Sequence, residues 1–129
     1  MERIFLDANV LFSAAYRPDA GLLALWRRAD MALLTSAHAV EEAQRNLPDD
    51  DQRQRLNGLA GKCEIVATPT GVGLPEGLLL PLGDRMIFFA AMAAHARHLL
   101  TGDRTHVGPY YGRAIAGVLI LPPSAYLRN

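Results

Sequence analysis

The chain has little of several things, and each shortage excludes something. Among 129 residues there is one cysteine, Cys63. An internal disulfide framework and a cysteine-rich zinc cluster are therefore excluded, in keeping with a reducing compartment. Net charge is zero, with 13 Lys/Arg against 13 Asp/Glu, which excludes a strongly basic nucleic-acid coat but not a local basic rim. The longest apolar stretches, Leu78 to Leu82 and Ile87 to Ala94, fall short of the ~20 residues a spanning helix needs. The opening Met1-Glu2-Arg3-Ile4-Phe5-Leu6-Asp7 reaches a carboxylate too early for a secretory leader, so a cytoplasmic protein is expected. The histidines offer no His-x-x-x-His pair for zinc.

What is present is globular. Hydrophobic residues make up 50% and charged ones 20%, which excludes a disordered tail. The length suits a single domain over residues 1–129 with a sizeable core. Short apolar runs at Ile4 to Leu6, Met31 to Leu34, Cys63 to Ala67, His98 to Thr101 and Val118 to Leu121 read as five strands. Helical spacing predicts helices over 20–30 (Leu22, Leu25, Trp26, Ala29) and 84–97 (Ile87, Ala90, Ala91, Ala94). Thr35 or Ser36 caps a helix running to about Leu47, and Asp49-Asp50-Asp51 opens another that ends near Gly58 to Gly61. Residues 69–83, rich in Gly and Pro, read as a loop, and Ser124 to Leu127 as a short closing segment. Alternating strands and helices imply an α/β sandwich around a parallel sheet.

Two acids end predicted strands, Asp7 after the first and Asp103 after the fourth, where ligands bind in open α/β sheets. Asp84 opens the helix before the fourth strand, and Glu41 or Glu42 lies on the helix after the second. Each has an ordinary reading: Asp7 and Asp84 as helix caps, Asp103 as a turn former, Glu42 as a solvated helix acid. Together they suggest more. Clustered carboxylates repel one another and resist burial, and a divalent cation converts that penalty into affinity. Oxygen donors of this kind suit Mg²⁺ or Mn²⁺, which activates water and stabilises phosphoryl charge.

Four stretches occur in a telling order. Asp7-Ala8-Asn9-Val10-Leu11 resembles the D-x-N opening of PIN-domain nucleases. Ser36 with Glu42-Ala43-Gln44-Arg45-Asn46-Leu47 resembles their second motif, Asp84-Arg85-Met86-Ile87 the third, and Leu99-Leu100-Thr101-Gly102-Asp103 the fourth; Gly117 to Leu127 resembles the family's last strand and closing segment. The resemblance implies a three-layer α/β/α sandwich with a mostly parallel five-stranded sheet. It implies metal-dependent cleavage of RNA, with Asp7, Glu42, Asp84 and Asp103 as catalytic and metal-holding residues. It places Asn9 behind Asp7 and Thr101 near Asp103 as hydrogen-bonding supports. Many small bacterial members, the VapC-like ones, are toxins of toxin–antitoxin pairs and are commonly dimers, so an antitoxin partner and a homodimer are expected from the resemblance.

The helical pattern does not settle Glu41 against Glu42; the register against Ser36 and Leu47 favours Glu42. Arg17, Arg104 and Arg113 fall in loops beside the expected site and are candidates for RNA phosphate contact, as is His106. The long segment 69–83, the Asp49-Asp50-Asp51 triplet and the zero net charge depart from the commonest toxin pattern. One rival is a PIN-like binding module that no longer cleaves. Another, a phosphatase of the haloacid-dehalogenase type, needs an acid two residues after its nucleophilic Asp, where this chain has Asn9.

Overall fold

The structure, a computed structural model, describes residues 1–75 and 77–127. Its strands are β1 (Glu2–Leu6), β2 (Met31–Thr35), β3 (Glu64–Ile65), β4 (His98–Leu100), β5 (Ala114–Ile115) and β6 (Val118–Leu121). Its α-helices are α1 (Ala8–Tyr16), α2 (Ala37–Asn46), α3 (Asp50–Ala60) and α4 (Leu82–Ala93). The sheet order is β3-β2-β1-β4-β6-β5, parallel except for the β5–β6 pair. This is the expected PIN-like α/β/α architecture, with a six-stranded sheet in place of the five-stranded one.

The extra strand is a hairpin. Ile115 pairs with Val118, and the two residues between, Ala116 (φ 51°) and Gly117 (φ 83°), both take positive φ. That backbone matches the right-handed twist of a tight hairpin, but Ala is an unusual first residue for it. The helix expected over 20–30 is instead a 3₁₀ segment at Gly21–Arg27. Gly21 opens it weakly and Ala20 supplies no side-chain cap, so the bonds stay short-range, as in Leu23 N–H to Ala20 O and Arg28 N–H to Leu25 O. The strand expected over Cys63 to Ala67 narrows to Glu64–Ile65, with Val66 N–H adding one more bond to Thr35 O.

Helix α1 follows directly from β1, and its buried Leu11, Ala14 and Ala15 stand at i, i+3 and i+4. Ser36 is the cap of α2, accepting from Ala39 N–H at 3.2 Å, while Thr35 ends β2 and donates its hydroxyl to Leu6 O. Gln52 of α3 accepts from Asp49 N–H, as in a capping box. α4 begins two residues earlier than expected and stops at Ala93. There His95 takes a left-handed φ of 56°, and Ala96 N–H and His95 N–H return to Ala91 O and Met92 O, a Schellman ending.

Helix α1 packs on α2 and α3, and α4 lies against β2, β4 and α2. β1 and β4 are buried on both faces, as a central parallel strand requires: Ile4, Phe5, Leu6 and Leu100 are fully buried together with Phe88 of α4 and Leu11 of α1. The two edge strands, β3 and β5, have two residues each. No helix of the described residues is long and apolar enough to cross a membrane.

Truncating Phe88 to Ala should lower unfolding free energy by about 3–5 kcal/mol, because its ring is fully enclosed. Leu82→Ala, on a side chain 73% exposed, should change it by no more than about 0.5 kcal/mol. Urea unfolding of both variants checks this, and equal losses would contradict the placement of the core.

Candidate active site

The strand order reverses its direction of growth between β1 and β4. The chain runs outward through β2 and β3, then returns to place β4 on the other side of β1. Beyond the carboxyl ends of these two strands a crevice opens, the expected ligand position in such a sheet. It is a cleft of about 380 Å³, lined by Asp7, Ala8, Asn9, Phe12, Glu42, Ala43, Asn46, Asp84 and Asp103. The four acids singled out in the sequence, each on a different stretch of chain, thus border one cavity.

Asp7 is the most constrained of them. Its backbone N–H extends the β1–β4 ladder to Leu100 O at 3.1 Å. Its carboxylate is buried and caps α1, with Oδ1 accepting from Ala8 N–H at 2.6 Å. Oδ2 accepts from the Thr101 hydroxyl at 2.7 Å and from Asn9 Nδ2 at 3.2 Å. Thr101, expected near Asp103, therefore supports Asp7 first; its Oγ1 also receives Asp103 N–H at 3.2 Å. Asn9 spans the same gap, its Oδ1 accepting from Gly102 N–H at 2.7 Å. A Cβ at Gly102 would stand 3.3 Å from that oxygen, so a side chain there would press on the Asn9 bridge. Tyr111 closes the arrangement from behind, donating its hydroxyl to Thr101 O at 2.6 Å.

Glu42 borders the cleft, whereas Glu41 is exposed and lines a separate surface groove with Gln44, Arg45 and Arg53. Asp84 is not a helix cap: Pro81 holds that position and Asp84 lies inside the first turn of α4. Its carboxylate is free to face the cleft while gaining from the helix dipole. Asp103 is both turn former and cleft residue. Oδ1 accepts from Thr105 N–H and His106 N–H at 3.1 and 3.0 Å, and Oδ2 lies 3.2 Å from His106 Nδ1.

The electrostatics follow from this crowding. Burial pushes the Asp7 carboxyl up to about 6, with Asp84 and Glu42 adding like-charge repulsion, against the opposing hydrogen bonds of Thr101 and Ala8. Burial also raises Asp84, helped by the negative charge of Asp103. Burial would raise Asp103 too, but the His106 backbone, ring and charge and the Thr105 N–H outweigh it and hold Asp103 below its ordinary value. Cys63 is no candidate nucleophile, since burial lifts its thiol to about 11.

The expected cationic contacts are more scattered. Arg17 lines an adjoining groove with Phe12, Ser13, Tyr16 and Leu22, and Phe12 forms a wall of both cavities. Arg113 lies over the Tyr110 ring at 5.7 Å, and Arg104 is exposed; neither lines the acidic cleft. His106 instead stands against the acids, with Nδ1 3.9 Å from Asp84 Oδ2. Phe12, Asn46 and Tyr111 are site residues that the sequence reading passed over. Asn46 lies four residues after Glu42, so helical spacing could have flagged it.

No protein-family model matches the chain, and no curated protein does. Among solved structures, it is similar to a chain of the crystal structure of VapBC2 from Rickettsia felis bound to a DNA fragment from their promoter. The TM-score is 0.66 at 16% sequence identity, covering 93% of this chain and 98% of that one. At that identity the likeness carries the fold.

Raised affinity of folded Asp7 for its proton has a measurable sign. Between about pH 4 and 6 the folded chain holds a proton that the unfolded chain has released, so stability falls as pH rises through that window. In EDTA, wild type should lose up to about 3 kcal/mol relative to Asp7→Asn between pH 4 and 7.5. Urea titrations at the two pH values test it; a difference independent of pH would refute a strained carboxylate.

Proposed function

We propose that the chain is a PIN-type, metal-dependent endoribonuclease that hydrolyses RNA phosphodiester bonds, acting as the toxin of a toxin–antitoxin pair. The observation that carries the nuclease reading is the convergence of Asp7, Glu42, Asp84 and Asp103 on one cleft at the point where the sheet reverses its growth. The toxin role rests on the family resemblance of the four motifs and on fold likeness to a chain of the VapBC2 complex. An antitoxin protein is the partner this reading requires, and a homodimer the assembly it favours.

The donor set fits a divalent cation. Four carboxylates at one cavity are all-oxygen ligands of the kind Mg²⁺ and Mn²⁺ accept, and the elevated Asp7 and Asp84 carboxyls mark charge that lacks a counterion. When bound, such an ion supplies Lewis acidity: it lowers the pKa of water and offsets charge on phosphoryl oxygens. The residues themselves do the positioning. Thr101, Asn9 and the Ala8 N–H fix the Asp7 carboxylate in one orientation. The α4 dipole and the 103–106 turn hold Asp84 and Asp103 on the facing side. The cavity lining supplies no Ser, Thr, Cys or Lys for covalent attack among the described residues, and with its carboxylates assigned to the ion this reading takes water as the nucleophile. Ala8, Ala43 and Phe12 keep part of the wall apolar. With zero net charge, phosphate affinity comes from the ion and from local arginines rather than from the whole surface.

Asp7→Asn should reduce RNA cleavage in Mn²⁺ about a hundredfold or more, because even an outer partner of a metal ligand is worth about 10–100-fold. Glu42→Gln should behave alike and Glu41→Gln should match wild type. A gel assay of labelled RNA with and without EDTA decides. Cleavage by Asp7→Asn at the wild-type rate would remove the assignment, and a wild-type chain silent in Mn²⁺ and Mg²⁺ alike would favour the non-cleaving binding module. Growth arrest on expression, rescued by a neighbouring gene product, tests the toxin role separately.

A further inference from the structure

His106 was expected to reach toward a substrate phosphate, yet its ring turns inward to the acids. Nδ1 is 3.2 Å from Asp103 Oδ2 and 3.9 Å from Asp84 Oδ2. One ligand atom from each of Asp84, Asp103 and His106 lies within 4.8 Å of the others. Donors around an ion with bonds of about 2.0–2.2 Å stand about 3 Å apart when adjacent and about 4.4 Å apart when opposite. The three atoms are already near that spacing.

The two sides of the cleft differ in their hydrogen bonding. Asp7 has both oxygens engaged by protein donors. Asp84, though partly buried, accepts no hydrogen bond among the described residues; the His106 ring stands 3.9 Å from its Oδ2. A half-buried carboxylate that no protein donor engages keeps its lone pairs open to a ligand. The turn that carries the imidazole is fixed by Asp103, whose Oδ1 accepts the N–H of both Thr105 and His106, and the ring itself rests against Oδ2 of the same residue.

We infer that Asp84, Asp103 and His106 form a mixed carboxylate–imidazole subsite, in which His106 Nδ1 is a direct ligand and biases the cleft toward Mn²⁺ over Mg²⁺. The inference rests on the proposed nuclease reading and goes beyond its four-acid ligand set. The physical reason is ligand softness: an imidazole nitrogen adds affinity for first-row transition ions, whereas Mg²⁺ prefers oxygen. As a ligand the ring is neutral, with its proton on Nε2 and the Nδ1 lone pair on the ion. That ring face is then unavailable to a substrate phosphate.

The test uses the full chain loaded with Mn²⁺ and pulsed electron paramagnetic resonance, which detects nitrogen bound to Mn²⁺, alongside calorimetric titration with Mn²⁺ and with Mg²⁺. Wild type should show nitrogen coupling, and His106→Ala should lose it. Mn²⁺ affinity of that variant should fall about tenfold or more, while Mg²⁺ affinity changes less than about threefold. His106→Gln, which keeps the length and an oxygen donor, should retain Mn²⁺ binding without imidazole coupling, and guards against a folding defect in the alanine variant. Mn²⁺ bound by wild type with no nitrogen coupling, or with coupling that survives in His106→Ala, overturns the subsite and leaves the four-acid reading intact. Equal losses for the two ions overturn the selectivity. Failure of wild type to bind either ion removes the nuclease reading and this subsite with it.

Discussion

Asp7 occupies the end of a strand that is buried on both faces, and everything around the cleft is arranged to hold a charge there. A carboxylate with so little water is unfavourable unless several donors or a cation compensate. The chain supplies the donors from two directions: the start of α1 below, through Ala8 and Asn9, and the end of β4 beside it, through Thr101. The Ala8 and Asn9 contacts are local, but the Thr101 contact exists only if β1 and β4 are neighbours. The pairing of two strands about ninety positions apart in sequence is thus the condition for the site as well as for the core. Once it forms, the α4 segment that precedes β4 brings Asp84, and the turn that follows it brings Asp103 and His106.

The same pairing explains how the acids come to differ although they share one cavity. Asp7 is enclosed, Asp84 is half-enclosed without a donor, and Asp103 lies in a turn that feeds it two N–H groups. Their proton affinities are pushed apart accordingly, up for the first two and down for the third. On the proposed function, this graded set holds a divalent ion without needing a strongly basic protein around it. It also separates two tasks. The Asp7 side is rigid and saturated with hydrogen bonds, and the Asp84 side is still open to coordination.

Much of this was legible in the sequence because it depends on local rules. The unbroken apolar triplet Ile4-Phe5-Leu6 identified β1, the short run His98 to Thr101 identified β4, Ser36 identified the start of α2, and the ordered acidic motifs identified the residues around the cleft. What was not legible depends on tertiary context. Nine residues from Ala8 carry a weak amphipathic signal, and α1 is stabilised by packing on α2 and α3 rather than by its own pattern. Leu22, Leu25 and Trp26 fit an α-helical stripe, yet a 3₁₀ segment satisfies the same burial, with Trp26 Nε1–H reaching Leu59 O at 3.1 Å on α3. The β5–β6 hairpin turns on Ala116-Gly117, which lacks the Asn-Gly signature. The helical pattern alone left Glu41 and Glu42 open, since one helical step moves a side chain by about 100°, and only the register against Ser36 and Leu47 pointed to Glu42, the one that borders the cleft.

Both margins of the sheet are blunt. β3 and β5 offer two residues each to a newcomer, and on the β3 side Glu64 is clamped across the sheet by Arg3, with Oε2 3.0 Å from the guanidinium. A ladder so short gives an added strand too few bonds to offset its ordering. The fold can therefore keep a central parallel sheet without inviting fibrous growth at its edges. Edges this short favour docking through side chains on helices and loops over borrowing backbone from the rim.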